Sequence, residues 1–190
     1  EVDLPTFPVF ALFDPALGMT TVVPDMDPTR PGSVDPETIL QPIRRHAVTN
    51  LFGSPALLRR LVETAPDAQL PSLERIVTAG APLHDDVLHG CLRMLRPDAR
   101  VYSPYGATEA LPVALIDSDA RRDPEVIRRT AEGAGVCVGL PVPETEVRII
   151  AIDDGPLPRG ADLRSLPPGE IGEIIVAGPQ VTTSYFGRPD

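Results

Sequence analysis

Lysine is missing from the chain: all 17 basic residues among its 190 are arginine. No mechanism that needs a lysine within these residues is open to it. Tryptophan is missing too, although the hydrophobic fraction of 42% is ordinary for a globular protein. Positive charge is scarce against 27 acidic residues, and the net charge of −10 argues against a nucleic-acid partner and against an anionic membrane surface. No apolar run is long enough to span a bilayer, and no charged, apolar and cleavage-site pattern opens the sequence. The two cysteines, Cys91 and Cys137, have no CxxC spacing. They read as buried free thiols, which fits a reducing cytoplasm. Histidine occurs three times. His84 and His89 are not an i, i+4 pair, so with Asp85 and Asp86 they read as a solvated helix start and not as a metal site. His46 stands beside Arg44 and Arg45 at an expected helix end, and no histidine is assigned to catalysis.

Proline is plentiful, with 24 residues, but it punctuates apolar segments and forms no low-complexity tract. No internal repeat is present, and 190 residues can bury one sizeable core. Phe10, Phe13 and Leu17 stand at helical spacing before Gly18, which predicts a core-facing helix. Residues 20–24 predict a short buried strand, followed by a Pro-rich loop from Asp25. Asp35 can cap a helix that begins at Pro36 and runs to about His46. Then come a strand over 48–53, a helix opened by Ser54-Pro55, a strand over 73–79 closed by Gly80, a helix from His84 to Arg96 and a strand over 99–104. Leu57, Leu58, Leu61 and Val62 make the apolar stripe of the second helix. Strands alternating with helices imply parallel pairing in a layered α/β domain, whose ligands bind beyond the carboxyl ends of the strands. Gly80-Ala81-Pro82 and Tyr105-Gly106 both fall there.

After Glu109 the pattern changes. Strands are predicted over 112–116, 146–150 and 171–177, with a charged helix or loop from Asp117 to Glu132, a turn at Asp153-Asp154-Gly155 and a polar loop through Pro168-Gly169. The fold class is therefore α/β: a layered parallel-sheet subdomain over residues 1–132, followed by a β-rich segment over 133–190. The abrupt start at Glu1 and the end just after a strand and turn read as the middle of a longer protein.

Within this frame one stretch carries chemistry. Tyr105-Gly106-Ala107-Thr108-Glu109 follows a buried strand and sets an aromatic ring, a glycine, a hydroxyl and a carboxylate within five residues. The ring can stack on a base, Thr108 can hydrogen-bond a phosphate oxygen, and Glu109 can hold Mg²⁺, a hard cation that prefers oxygen ligands. An ordinary strand-to-loop turn with a buried Tyr and a solvated Glu would carry the same residues.

The stretch resembles the Tyr-Gly-x-Thr-Glu motif of the adenylate-forming enzymes: acyl-CoA synthetases, luciferases and peptide-synthetase adenylation domains. Three further segments resemble that family in the same order: Thr78-Ala79-Gly80-Ala81-Pro82-Leu83, Gly135-Val136-Cys137-Val138-Gly139-Leu140-Pro141, and Gly172-Glu173-Ile174-Ile175-Val176-Ala177-Gly178. The resemblance implies that the β-rich tail is barrel-like and that the domain is incomplete. It implies ATP and Mg²⁺ as cofactors, Tyr105 against adenine, Gly80, Ala81, Pro82 and Gly106 beside it, Thr108 on the α-phosphate and Glu109 on the metal. Thr108 and Glu109 become the catalytic pair. Phe10, Asn50, Leu51, Gly53 and Gly106 are weaker candidates for an acyl side, and the stretch from Leu4 to Phe13 becomes a wall of an acyl pocket. Pro8 stands where many relatives carry His, so a His that orients the carboxylate has no counterpart here.

The reaction implied has two steps. A carboxylate attacks the α-phosphate of ATP, and a nucleophile then captures the acyl-adenylate. The partner is a small carboxylic acid, expected to be long-chain, because Leu4 to Asp14 and Val23 to Pro31 resemble the β-lactone synthetases of bacterial olefin biosynthesis. In that subgroup the substrate's own β-hydroxyl closes the ring. Pathway enzymes are then possible partners, with a nucleic acid or a membrane span excluded. The family's Pro-Lys-Gly phosphate loop, ribose-binding Asp and C-terminal Lys domain have no counterpart here, so these residues alone are expected to be inactive. Acyl-CoA ligation, a non-catalytic nucleotide-binding module and a purely structural α/β domain stand as alternatives.

Overall fold

The computed structural model describes residues 1–153, 155 and 163–188. They fall into two compact units, one of Glu1–Pro104 with Ile116–Val138 and one of Tyr105–Leu115 with Gly139–Asp190.

The first unit is built on parallel strands. β1 (Val2–Pro5), β2 (Thr20–Thr21), β3 (Asn50–Phe52), β4 (Arg75–Val77) and β5 (Arg100–Ala107) follow the order β2-β1-β3-β4-β5, and each neighbouring pair is parallel. The register places Leu4, Leu51, Ile76 and Val101 in one row. None of these is more than 3% exposed. Their partners in the core include Ile39, Leu40 and Ile43 of α1 (Pro36–His46), Leu57, Leu58 and Leu61 of α2 (Pro55–Thr64), and Val87 and Leu88 of α3 (Asp85–Met94). Each such side chain removed from water contributes roughly 1.5–3 kcal/mol, so this layer is the source of the unit's cohesion. The helices start where the caps predict: Asp35 accepts from the Glu37 N–H at 3.2 Å and Ser54 from the Leu57 N–H at 3.3 Å. Ala47, left-handed at φ 49°, ends α1.

The opposite face of the sheet is different. Its register sets Asp3, Asn50, Arg75 and Arg100 in one row. Glu1 lies by that row, accepting from Asn50 Nδ2 at 3.3 Å and from Arg75 at 2.6 Å. One row further, Pro5, Phe52, Val77 and Tyr102 lie at the carboxyl end. Phe10 packs on Phe52 with ring centroids 4.4 Å apart, and Phe7 packs on Phe10 at 5.8 Å.

Three local expectations are corrected. The helix expected around Phe10 to Leu17 is two short 3-10 turns, Phe10–Leu12 and Asp14–Leu17, and Leu4-Pro5 is strand. Pro15, inside the stretch, has no N–H to carry an i→i−4 ladder through it. Phe13 and Leu17 are 57% and 71% exposed and so not core. The strand expected over 20–24 is only Thr20–Thr21, with Thr20 and Val23 exposed. Cys91 is buried, its thiol pushed up to about 12 by burial, but Cys137 is only half-buried. Both are free.

The segment after residue 115 completes the unit. Ser118 is fully buried, and its hydroxyl accepts from the Val101 N–H at 3.3 Å. Arg100 pairs with Asp119 at 2.6 Å, and the buried Arg121 guanidinium pairs with Asp85 at the start of α3. Asp123 caps α4 (Pro124–Arg129), accepting from the Glu125 N–H at 2.8 Å.

In the second unit, Ala114 and Leu115 of β6 (Ala110–Asp117) pair antiparallel with β7 (Leu140–Pro141), and β8 (Glu146–Ile150) pairs antiparallel with β9 (Glu173–Ala177). Gly172 is needed where β9 begins: a Cβ there would lie 2.2 Å from the Ile150 carbonyl oxygen. The expected turn at Asp153-Asp154-Gly155 and the polar loop after it run partly outside the described residues. Within them, the Gly155 N–H donates to Asp153 Oδ1 at 2.9 Å. Among the described residues no helix is long and apolar enough to cross a membrane.

Candidate functional site

Gly80, Ala81 and Pro82 belong to the first unit and follow β4 after Thr78 and Ala79. The chain leaves the sheet at Thr78, whose N–H donates to the Tyr102 carbonyl at 2.9 Å. Gly80 then takes φ +92°, a conformation that costs other L-residues energy. Gly80, Ala81 and Pro82 are exposed, while Leu83, 2% exposed, anchors the loop in the core just before α3. The loop therefore presents backbone to solvent at the carboxyl edge of the parallel sheet, where ligands of such sheets bind. The Thr78 hydroxyl, by contrast, is buried with no hydrogen-bond partner among the described residues.

Tyr105, Gly106, Thr108 and Glu109 belong to the second unit. β5 does not end at Pro104 as expected but continues to Ala107, and only Thr108-Glu109 form the turn into β6. The turn is this tight because the two chains come close: a Cβ on Gly106 would lie 2.4 Å from the Ala110 carbonyl oxygen. Tyr105 is 38% exposed. Thr108 and Glu109 project from the exposed tip.

The tip is held from a segment far along the chain. The Thr182 N–H donates to the Glu109 carbonyl at 2.7 Å, and Ala110 bridges to Val181. Tyr185 donates its phenol O–H to Glu109 Oε1. That bond, and next the Glu109 backbone N–H, hold the Glu109 carboxyl below the usual carboxylate range. The same bond, and then the carboxylate's charge, push the Tyr185 phenol up. Glu109 is thus an exposed, ionised carboxylate with one oxygen engaged. Among the described residues no group of three or more His, Cys, Asp or Glu is placed to hold an ion. A single carboxylate suits Mg²⁺, which keeps several waters and is commonly held by one or two carboxylates together with substrate phosphates.

The weaker acyl-side candidates separate. Gly53 lies just past the carboxyl end of β3, its N–H donating to the Val77 carbonyl at 3.0 Å, and Phe10 covers Phe52 beside it. Leu51 points into the helix-covered core. Asn50 lies two residues back on β3, with Nδ2 on Glu1 and Oδ1 buried and unpartnered. Neither is brought to that edge. Tyr185 was not legible in the sequence; the only available signal is scarcity, since the chain has three tyrosines.

Residues 9–186 match the profile of a family described as AMP-binding enzyme. The chain is 54% identical over 189 residues to an olefin beta-lactone synthetase of Stenotrophomonas maltophilia, covering 99% of this chain and 33% of that protein. It is 52% identical over 190 residues to one of Xanthomonas campestris pv. campestris, covering 98% of this chain and 33% of that protein. It is also similar to the structure of an O-succinylbenzoate coenzyme A synthetase from Bacillus subtilis in complex with ATP and magnesium ion, with TM-score 0.68 and 25% identity, covering 99% of this chain and 35% of that one. The chain spans about a third of the length of the two synthetases it matches.

Proposed function

We propose, from the premise that this chain belongs to the AMP-binding enzyme family, that the longer protein adenylates a β-hydroxy fatty acid and closes it to a β-lactone. The observation that carries the reading is the similarity to two olefin beta-lactone synthetases, at 54% and 52% identity, along almost the whole chain. In this reading residues 1–132 are part of the α/β subdomain of an AMP-binding domain and residues 133–190 a segment of its β-rich subdomain.

The chemistry begins with a carboxylate oxygen attacking the α-phosphorus of ATP. The P–O bond to pyrophosphate breaks, and an acyl-adenylate forms. The β-hydroxyl oxygen then attacks the acyl carbon, loses its proton, and the C–O bond to AMP breaks as the four-membered ring closes. An internal nucleophile needs no thiol cosubstrate, and its effective molarity offsets part of the ring strain. The residues divide the work. By their places in the family's motifs, Tyr105 is assigned to the adenine, and Gly80, Ala81, Pro82 and Gly106 to nucleotide binding. Thr108 donates to a phosphate oxygen. Glu109 would hold magnesium, which would neutralise charge on the phosphates. Phe7, Phe10 and Phe52 form an apolar surface suited to an acyl chain. The free cysteines fit the reducing cytoplasm we assign to the protein.

The test uses the full-length enzyme with a β-hydroxy fatty acid, ATP and Mg²⁺, with and without coenzyme A, and mass analysis of the product. A product equal to the acid minus water, formed without coenzyme A, is expected. A thioester formed only with coenzyme A would replace this reading with acyl-CoA ligation.

A further inference from the structure

We propose that Tyr185 is a positioning residue for the Glu109 carboxylate: its phenol O–H holds Oε1, so that Oε2 is presented to the divalent cation. The inference rests on Glu109 being the metal-holding carboxylate.

Three observations carry it. The first is the bond itself, made across 76 residues of chain between Tyr185 and Glu109 Oε1. The second is that both ends are held. On the Glu109 side, the Thr182 N–H clips the Glu109 carbonyl at 2.7 Å and Val181 bridges to Ala110. Gln180 adds bonds to the Pro112 carbonyl at 3.2 Å and to Thr145 Oγ1 at 2.6 Å. On the Tyr185 side, the chain turns at once through Phe186 and Gly187, whose φ of +73° suits glycine, and the Arg188 N–H closes the turn on the Tyr185 carbonyl at 3.0 Å. The third is that the phenol is the only side-chain donor to Glu109 among the described residues, with no charged partner beside it.

The physical reason is geometric. Mg²⁺ demands near-octahedral ligands, whereas a glutamate on an exposed two-residue turn samples several rotamers. A neutral donor that occupies one carboxylate oxygen selects an orientation without adding a positive charge that would compete with the cation. Hydrogen bonds that orient a metal ligand are commonly matched to its affinity, and their loss weakens binding roughly 10- to 100-fold. Tyr185 is 57% exposed, so the low end of that range applies.

The experiment titrates full-length enzyme with Mn²⁺ as a paramagnetic probe, in the presence of a non-hydrolysable ATP analogue, and reads free Mn²⁺ by its electron spin resonance. Tyr185→Phe keeps the ring and removes only the hydroxyl. Its Mn²⁺ dissociation constant is expected to rise about tenfold. AMP binding without metal is expected to match the parent, a readout that general loosening of the fold would move. The Mg²⁺ needed for half-maximal adenylation should rise in step. Glu109→Gln serves as the reference. If Glu109→Gln weakens Mn²⁺ binding and Tyr185→Phe does not, the positioning role is overturned while Glu109 keeps its own. If Tyr185→Phe binds Mn²⁺ more tightly, the phenol restrains the carboxylate away from the metal and the inference is overturned. If Glu109→Gln leaves Mn²⁺ binding unchanged, the reading of Glu109 fails and the inference fails with it.

Discussion

A methyl group at position 106 would meet backbone. The Ala110 carbonyl oxygen stands 2.4 Å from where it would sit, and the Leu111 Cα is 3.2 Å away. Backbone in a two-residue turn cannot swing aside as a side chain can, so Gly106→Ala must shift Thr108 and Glu109. At the nucleotide site we propose, a displacement of that kind is costly, and a loss of roughly 10- to 100-fold in kcat/KM of the full-length enzyme is expected. Steady-state adenylation kinetics check it. Tyr105→Ala tests a different contribution. Base–aromatic stacking is worth about 1–3 kcal/mol, so the variant should bind AMP more weakly by that amount while its dependence on Mg²⁺ stays that of the parent. Calorimetric titration with AMP reads the first effect and a magnesium series the second. Equal AMP affinity would mean that the exposed ring faces no base. The residue types of this site were legible because they are contiguous. Tyr185 was not, because nothing in a one-dimensional pattern pairs a phenol with a carboxylate 76 residues before it.

At the level of helices and strands, α1 and α2 were readable from local chemistry. Asp35-Pro36 and Ser54-Pro55 supply a cap and a first-turn proline, and the apolar stripes then set the buried face. What was not readable is how closely the helices approach one another. In α3 a Cβ on Gly90 would fall 2.2 Å from Val62 Cγ1 of α2. Alanine in a helix is favoured over glycine by about 1 kcal/mol, but overpacking costs about 1–3 kcal/mol. Gly90→Ala is therefore expected to destabilise the protein, and Gly90→Ala with Val62→Ala to recover much of the loss. Denaturant unfolding of the two singles and the double closes the cycle. Additive effects would show that the two helices do not constrain each other at this point. The stretch from Phe10 to Leu17 is not the expected helix, for a local reason. Its spacing suits a helix, yet Pro15 interrupts the hydrogen-bond ladder and short 3-10 turns remain.

For the whole molecule, the sheet register sets a pH dependence. Asp3 is 8% exposed and its carboxyl is pushed up to about 6, by burial first and then by the Asp14 charge. Asp14 is itself buried and accepts from the Thr21 hydroxyl at 2.6 Å, while the Leu4 N–H and the Arg75 charge draw the Asp3 value down. Because the folded state holds this proton more tightly than the unfolded chain, the stabilisation is complete below about pH 4 and is lost as pH rises to about 6. The parent should lose up to about 3 kcal/mol across that window relative to Asp3→Asn, which has no proton to release. Urea unfolding of both proteins from pH 4 to 7.5 measures the difference, and parallel curves would show that Asp3 titrates normally.

What the sequence determined by itself is what depends on neighbours along the chain: the capped starts of α1 and α2, the close of a strand before Gly80, the alternation of strand and helix, and the contiguous groups from Tyr105 to Glu109. These rest on local backbone sterics and short-range hydrogen bonds, which act within a few residues. Only the tertiary structure decided which face of the sheet is buried, that β5 runs on to Ala107, that Asp3 and Asp14 are buried, and that Tyr185 reaches Glu109. Each of these depends on register and on the return of a distant segment, so its energy belongs to a pair of positions, and no single stretch of chain carries it.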